Sequence, residues 1–135
     1  MMGAGEPSLK DGIGIHHYSC NASMGNTVFC SSDGDILVVP QEGRLLIETE
    51  MGKLLVGPFE IVLLPRGLKF SVLLPDGKSK GYLNEVYKGH YVLPDLGPIG
   101  SNCLANPRDF ETPVAWFEDK AGEYKIVNKY IGKFF

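Results

Sequence analysis

Apolar and polar positions alternate in short runs along this chain, and turn-forming residues cut the runs every eight to twelve residues or so. The stretch IGIHHYSC, Ile13 to Cys20, reads as a strand, followed by a turn around Ser23 to Asn26 and a strand from Thr27 to Cys30. SSDGD turns the chain, because Asp and Gly suit side-chain-capped and positive-φ positions. ILVVP then forms a strand ended by Pro40, and RLLIETE alternates between the turns QEG and MGK. LLV leads to a corner at Gly57-Pro58, after which EIVLLP, LKFSVLLP and GYLNEVY are separated by RG and DGKSK. Short strands at this spacing predict an all-β, antiparallel sandwich or small barrel.

The rhythm stops after Tyr87. HYVLPDLGPIGSNCLANPRDFETP holds four prolines and little alternation, so a long ordered loop is expected, of the kind usually found at a functional site or an interface. VAWFED and EYKIVNKYIGKFF return to strand-like character. The expected layout is one domain over 1–135: a sandwich core at 1–92, the loop at 93–113 and final strands at 114–135. The chain stops on Phe134-Phe135 with no polar tail, which leads us to expect a fragment of a longer chain whose continuation covers these rings.

Composition narrows the function. With 44% hydrophobic and 21% charged residues the chain is globular. A net charge of -3 and a pI near 5.6 leave no basic face for nucleic acid. No apolar run reaches the length of a bilayer span, and MMGAGEPSLKDG lacks a signal architecture, so a cytoplasmic setting is expected. Cys20, Cys30 and Cys103 lack CxxC spacing and fit neither a disulfide framework nor a zinc site. Cys20 and Cys30 would face each other only if NASMGN were a hairpin tip, and free thiols are the expectation.

Candidate chemistry is sparse. His16 and His17 are strand neighbours and must point to opposite faces, so they cannot share a metal. A set of His16 or His17 with His90 and Glu85 would supply two imidazoles and a carboxylate, as iron requires, but no spacing demands it. Arg108-Asp109 is expected to hold a turn, and Trp116, Phe117 and Tyr124 to serve core or subunit contacts. No catalytic, cofactor-binding or metal-ligating residue is assigned.

GPFEIVLLPRGLKFSV, Gly57 to Val72, is similar to the second motif of the cupin β-barrels, with its Pro-x-Gly turn at Pro65-Arg66-Gly67. Asp35 stands where that family has an acid, but Phe70 fills the ligand His slot. The two earlier His positions fall among Val28 to Ser31, where there is none. The resemblance implies a cupin-like, jelly-roll-type fold whose centre is packed with hydrocarbon, and no metal is expected there.

A more specific resemblance spans the whole chain. EVYKGHYVLPDLGPIGSNCLANPRDF, with SDGDILVVPQEGRLLIETEMGKLLV, RGLKFSV, AWFED and NKYIGKFF, resembles the homogentisate 1,2-dioxygenase family. Cys103 departs from it where a Gly is usual, and Lys88-Gly89 varies the run before His90. The resemblance implies a segment of the N-terminal β-sandwich of an enzyme that opens the ring of homogentisate with O2 at Fe(II), giving maleylacetoacetate in tyrosine and phenylalanine breakdown. It further implies iron ligands outside this segment, a C-terminal half as partner, a trimer-based homo-oligomer, and a loop Pro94 to Phe110 at subunit contacts and the active-site rim. The alternatives from other classes are a metal-free cupin-like binding or assembly module and a small self-sufficient enzyme using the three histidines.

Overall fold

A computed structural model describes residues 2–94 and 107–135. Among them eleven strands form two facing sheets. The strands are β1 Met2–Glu6, β2 Asp11–Cys20, β3 Thr27–Ser31, β4 Asp35–Glu42, β5 Leu45–Thr49, β6 Gly52–Val56, β7 Val62–Leu64, β8 Lys69–Leu73, β9 Ser79–Val86, β10 Lys125–Tyr130 and β11 Lys133–Phe134. One sheet has the order β1-β2-β9-β4-β7 and the other β11-β10-β3-β8-β5-β6. The sandwich expected from the alternation is therefore present.

Alternation decides which side chains the sheets bury. Ile36 and Val38 on β4, Leu45 and Ile47 on β5, and Val62 and Leu64 on β7 point inward and form the core with Val56, Phe70 and Leu74. Ile47 is only 1% exposed, a burial that stabilises by about 1.5–3 kcal/mol.

Three local expectations need correction, and one strand has no forerunner in the sequence pattern. The sheets are not wholly antiparallel: β10 runs parallel to β3, pairing Lys125 with Thr27 through Lys129 with Ser31. Pro40 does not end its strand; β4 continues to Glu42 through a register shift. The β4–β7 ladder covers only Ile36 to Val38, so the missing N–H of Pro40 falls beyond it and interrupts no bond there. VAWFED is no strand: Val114 and Phe117 are over four-fifths exposed, and this segment lies beside β6 without a ladder. It approaches so closely that a Cβ on Gly52 would lie 2.1 Å from the Val114 carbonyl oxygen. Finally, the N-terminal MGAGE forms β1, which pairs with β2 from Met2↔Ile15 to Glu6↔Asp11. It is wholly exposed and too rich in Gly and Ala to show a period.

Within the expected loop, residues 95–106 and with them Cys103 lie outside the described residues. Pro107–Asp109 makes a single 3-10 turn, in line with the turn role expected of Arg108-Asp109.

Candidate functional site

The centre of the sandwich is built by β3 and β8, which pair Phe29 with Phe70 and Cys30 with Lys69. The Phe29 and Phe70 rings meet edge to face at 5.6 Å and 68°, and Phe134 tilts against Phe29 at 6.3 Å. Phe70 is buried, as expected of a ring in the ligand slot of the Pro-x-Gly motif. The window Val28 to Ser31 contributes a second ring and the Ser31 hydroxyl.

The acid of the pattern faces the other way. Ile36 and Val38 point into the core, so alternation turns Asp35 to the outer face of its sheet. Its carboxylate accepts from the Arg66 amide at 2.9 Å and the Tyr91 amide at 3.0 Å, and pairs with His90 Nδ1 at 3.1 and 3.2 Å. Burial pushes the Asp35 carboxyl up, but these donors more than reverse it and hold it below its ordinary range. Arg66 spans from this turn to the Tyr87 and Gly89 carbonyls at 3.0 and 3.1 Å.

The set of histidines with Glu85 is not brought together. His16 and His17 do point to opposite faces: His16 lies opposite Leu83, a core-packed residue, and His17 lies opposite Tyr82. His90 binds Asp35 on the outer face, whereas Glu85 points inward, opposite Ile36. His16 shares the inward face with Glu85, and what keeps the set apart is His90, which lies beyond the end of β9 and is tied to Asp35.

Glu85 belongs to a cluster that sequence reasoning did not find. Its carboxylate accepts from Ser31 Oγ at 2.9 Å, from Lys129 Nζ and from the Tyr87 hydroxyl. Lys129 also reaches Asp33 at 3.4 Å, and Asp33 accepts from the Ile131 and Gly132 amides at 2.6 and 2.9 Å. Asp33 and Glu85 are 3% and 2% exposed. Burial, with the nearby Glu85 and Asp33 charges, pushes the Tyr87 hydroxyl to about 12, which keeps it protonated at neutral pH. Asp33 and Lys129 lie far apart in sequence, and no local motif links them.

Cys20 and Cys30 are free, because β2 and β3 belong to different sheets. A surface cleft of about 420 Å³ is lined by Cys20, Asn21, Glu42, Lys78 and Lys80. Lys78 and Lys80 pair with Glu42 at 2.7 and 2.6 Å and hold its carboxyl down to about 2. A second cleft of the same volume runs along β6, where Lys53 sits 3.5 Å over the Trp116 ring.

Asp35, Glu85, Asp33 and Glu42 are thus each engaged by donors within the chain. Among the described residues no group of three or more His, Cys, Asp or Glu could hold a metal ion. An iron placed at the centre would meet the Phe29 and Phe70 rings, and the inward carboxylate nearest Ser31, that of Glu85, is already held by Ser31, Lys129 and Tyr87, so these residues do not fit it. No helix among them is long and apolar enough to cross a membrane.

The family model described as Homogentisate 1,2-dioxygenase N-terminal matches residues 1–135. Similar curated proteins, each called homogentisate 1,2-dioxygenase, include one from Caenorhabditis elegans, 57% identical over 133 residues, covering 98% of this chain and 30% of that protein. One from Arabidopsis thaliana is 56% identical, covering 98% and 29%. One from Homo sapiens is 53% identical over 137 residues, covering 100% and 31%. The chain spans about 30% of the length of these relatives. With its two-sheet fold and its match from end to end, this chain belongs to the homogentisate 1,2-dioxygenase N-terminal family.

Proposed function

We propose that this chain is a structural segment of an Fe(II)-dependent dioxygenase that opens the aromatic ring of homogentisate with O2, giving maleylacetoacetate. The single observation that supports this best is the edge-to-face pair of Phe29 and Phe70 at the sandwich centre. A cupin-type half that packs phenyl rings where a partner half carries ligands gains stability and gives up coordination. A buried histidine without a ligand would instead need a polar partner.

On this reading none of the chain's residues touches substrate, iron or O2. The iron is held by the C-terminal half, which is also the chain's partner, and the whole assembles as a trimer-based homo-oligomer in the cytoplasm. The layout of core at 1–92, loop at 93–113 and final segment at 114–135 follows the same reading.

The test is O2 uptake with homogentisate and Fe(II), by the chain alone and then by the chain joined to a relative's remaining C-terminal portion. Uptake only in the joined protein is expected. Turnover by the chain alone, with stoichiometric iron bound to it, would overturn the proposal.

A further inference from the structure

The hairpin of β10 and β11 is joined to the sandwich by one backbone ladder, the five parallel pairs with β3. Backbone bonds at its two ends, from Lys125 N–H to the Asn26 carbonyl at 3.0 Å and from Ser32 N–H to the Lys129 carbonyl at 2.8 Å, extend it, and side-chain ties add to these. Ser32 Oγ donates to Asn128 Oδ1 at 2.8 Å. The Asp33 carboxylate holds the amides of Ile131 and Gly132, the two turn residues, whose φ values are 51° and 68°. A left-handed conformation is strained for a β-branched residue, so this turn keeps its shape only while something outside it fixes the amides.

Lys129 is the centre of the attachment. It stands on the hairpin itself, and its ammonium is shared by Glu85 of the opposite sheet and Asp33 of the β3–β4 loop. Its side chain is 15% exposed, against 2% and 3% for the carboxylates. Two buried negative groups therefore depend on one positive group. The other partners of Glu85 are the Ser31 and Tyr87 hydroxyls, and those of Asp33 are the two turn amides. These are neutral donors and do not cancel the charge.

We propose that Lys129, gripped by Asp33 and Glu85, is the catch of a strap: the β10–β11 hairpin is a separately opening unit, and this ammonium holds it shut. Opening it breaks the parallel ladder, parts Phe134 from Phe29 and uncovers that end of the interior, while the β2-β9-β4 ladders stay intact. The inference stands apart from any ring-opening activity.

Residue-resolved hydrogen exchange on the full chain at neutral pH tests it. In the unsubstituted chain the amides of 126–130 are expected to exchange by a lower-energy opening than those of β4 and β9. Lys129→Met should cut hairpin protection by roughly a hundredfold and leave β4 and β9 within about twofold. Lys129→Arg should keep the strap closed. Glu85→Gln added to Lys129→Met should restore part of the protection, because it removes a buried charge left without its partner. A mere packing role for the lysine stem would show no such rescue. The proposal is overturned if hairpin and sandwich amides lose protection together, if Lys129→Met leaves the hairpin unchanged, or if that variant fails to fold at all.

Discussion

Phe70 lies directly across β3 and β8 from Phe29, and the two rings meet edge to face at 5.6 Å. Such a pair adds about 0.5–1.5 kcal/mol to what the burial of the rings supplies. Phe70→Ala should therefore lower stability by about 3–5 kcal/mol, since it removes both terms and leaves a cavity. Urea denaturation followed by circular dichroism measures this. An unchanged midpoint would show that Phe70 is not core.

Restoring the missing imidazole should not restore a metal. Phe70→His would place one nitrogen donor at the centre, while Asp35 faces the outside and is engaged with Arg66, Tyr91 and His90. The expected result is a destabilised chain with no stoichiometric iron in elemental analysis after incubation with Fe(II). One bound iron per chain would contradict the outward placement of Asp35.

Acid should weaken the fold before the pH at which ordinary carboxyl groups have all been protonated. Arg44 holds the Asp76 carboxyl down to about 2, Lys78 and Lys80 do the same for Glu42, and Asp35 is also lowered. Below roughly pH 5 the unfolded chain binds protons that these folded-state groups still refuse, so stability falls as pH drops towards 2. Asp76 and Glu42 are exposed and contribute little each, whereas Asp35 is buried. Asp35→Asn should cost about 1–3 kcal/mol at pH 7 and make the urea midpoint less dependent on pH below 5. A pH dependence as steep as in the unsubstituted chain would remove Asp35 from this account.

Gly52→Ala should detach the segment that lies along β6. Gly52 has a φ of 129°, and a Cβ there would press to 2.1 Å from the Val114 carbonyl oxygen. Trp116, which stacks under Lys53 in the same segment, is the chain's single tryptophan. Its fluorescence should shift to the red as the segment lifts away. An unchanged emission maximum would mean that the segment does not depend on this close approach.

Thiol reactivity should rank by burial rather than by pairing. Cys20 is half-buried at a surface cleft and Cys30 is buried. In the native chain, alkylation followed by peptide mapping should label Cys20 well before Cys30. A disulfide between them after mild oxidation would contradict their placement on different sheets.

The residues that announced the fold did so locally. The two-residue period of RLLIETE and ILVVP chose which side chains are buried, and DG, QEG and PRG marked the corners. These signals depend only on a strand's own geometry, so they are legible without any partner. The same alternation set His16 against His17, and a phenylalanine in the Pro-x-Gly slot already denied the centre a nitrogen donor. Family membership was legible too, in the long block from Glu85 to Phe110.

Pairing was not legible. Nothing in MGAGE marks an edge strand, because β1 buries no face. Nothing in KIVNKY says that it runs parallel to TVFCS, since direction is set by the path of the intervening chain. Pro40 reads as a strand terminator, yet the β7 ladder ends before it and its missing donor costs nothing there. Asp35 stands where the cupin pattern has its acid, but only the register of β4 against β9 and β7 shows that it faces outward. Likewise Asp33, Glu85 and Lys129 are three ordinary charged residues until two sheets close over them. Sequence fixes preferences that act over a few residues; which distant charges share one buried space is decided only when the sheets pack and water is excluded.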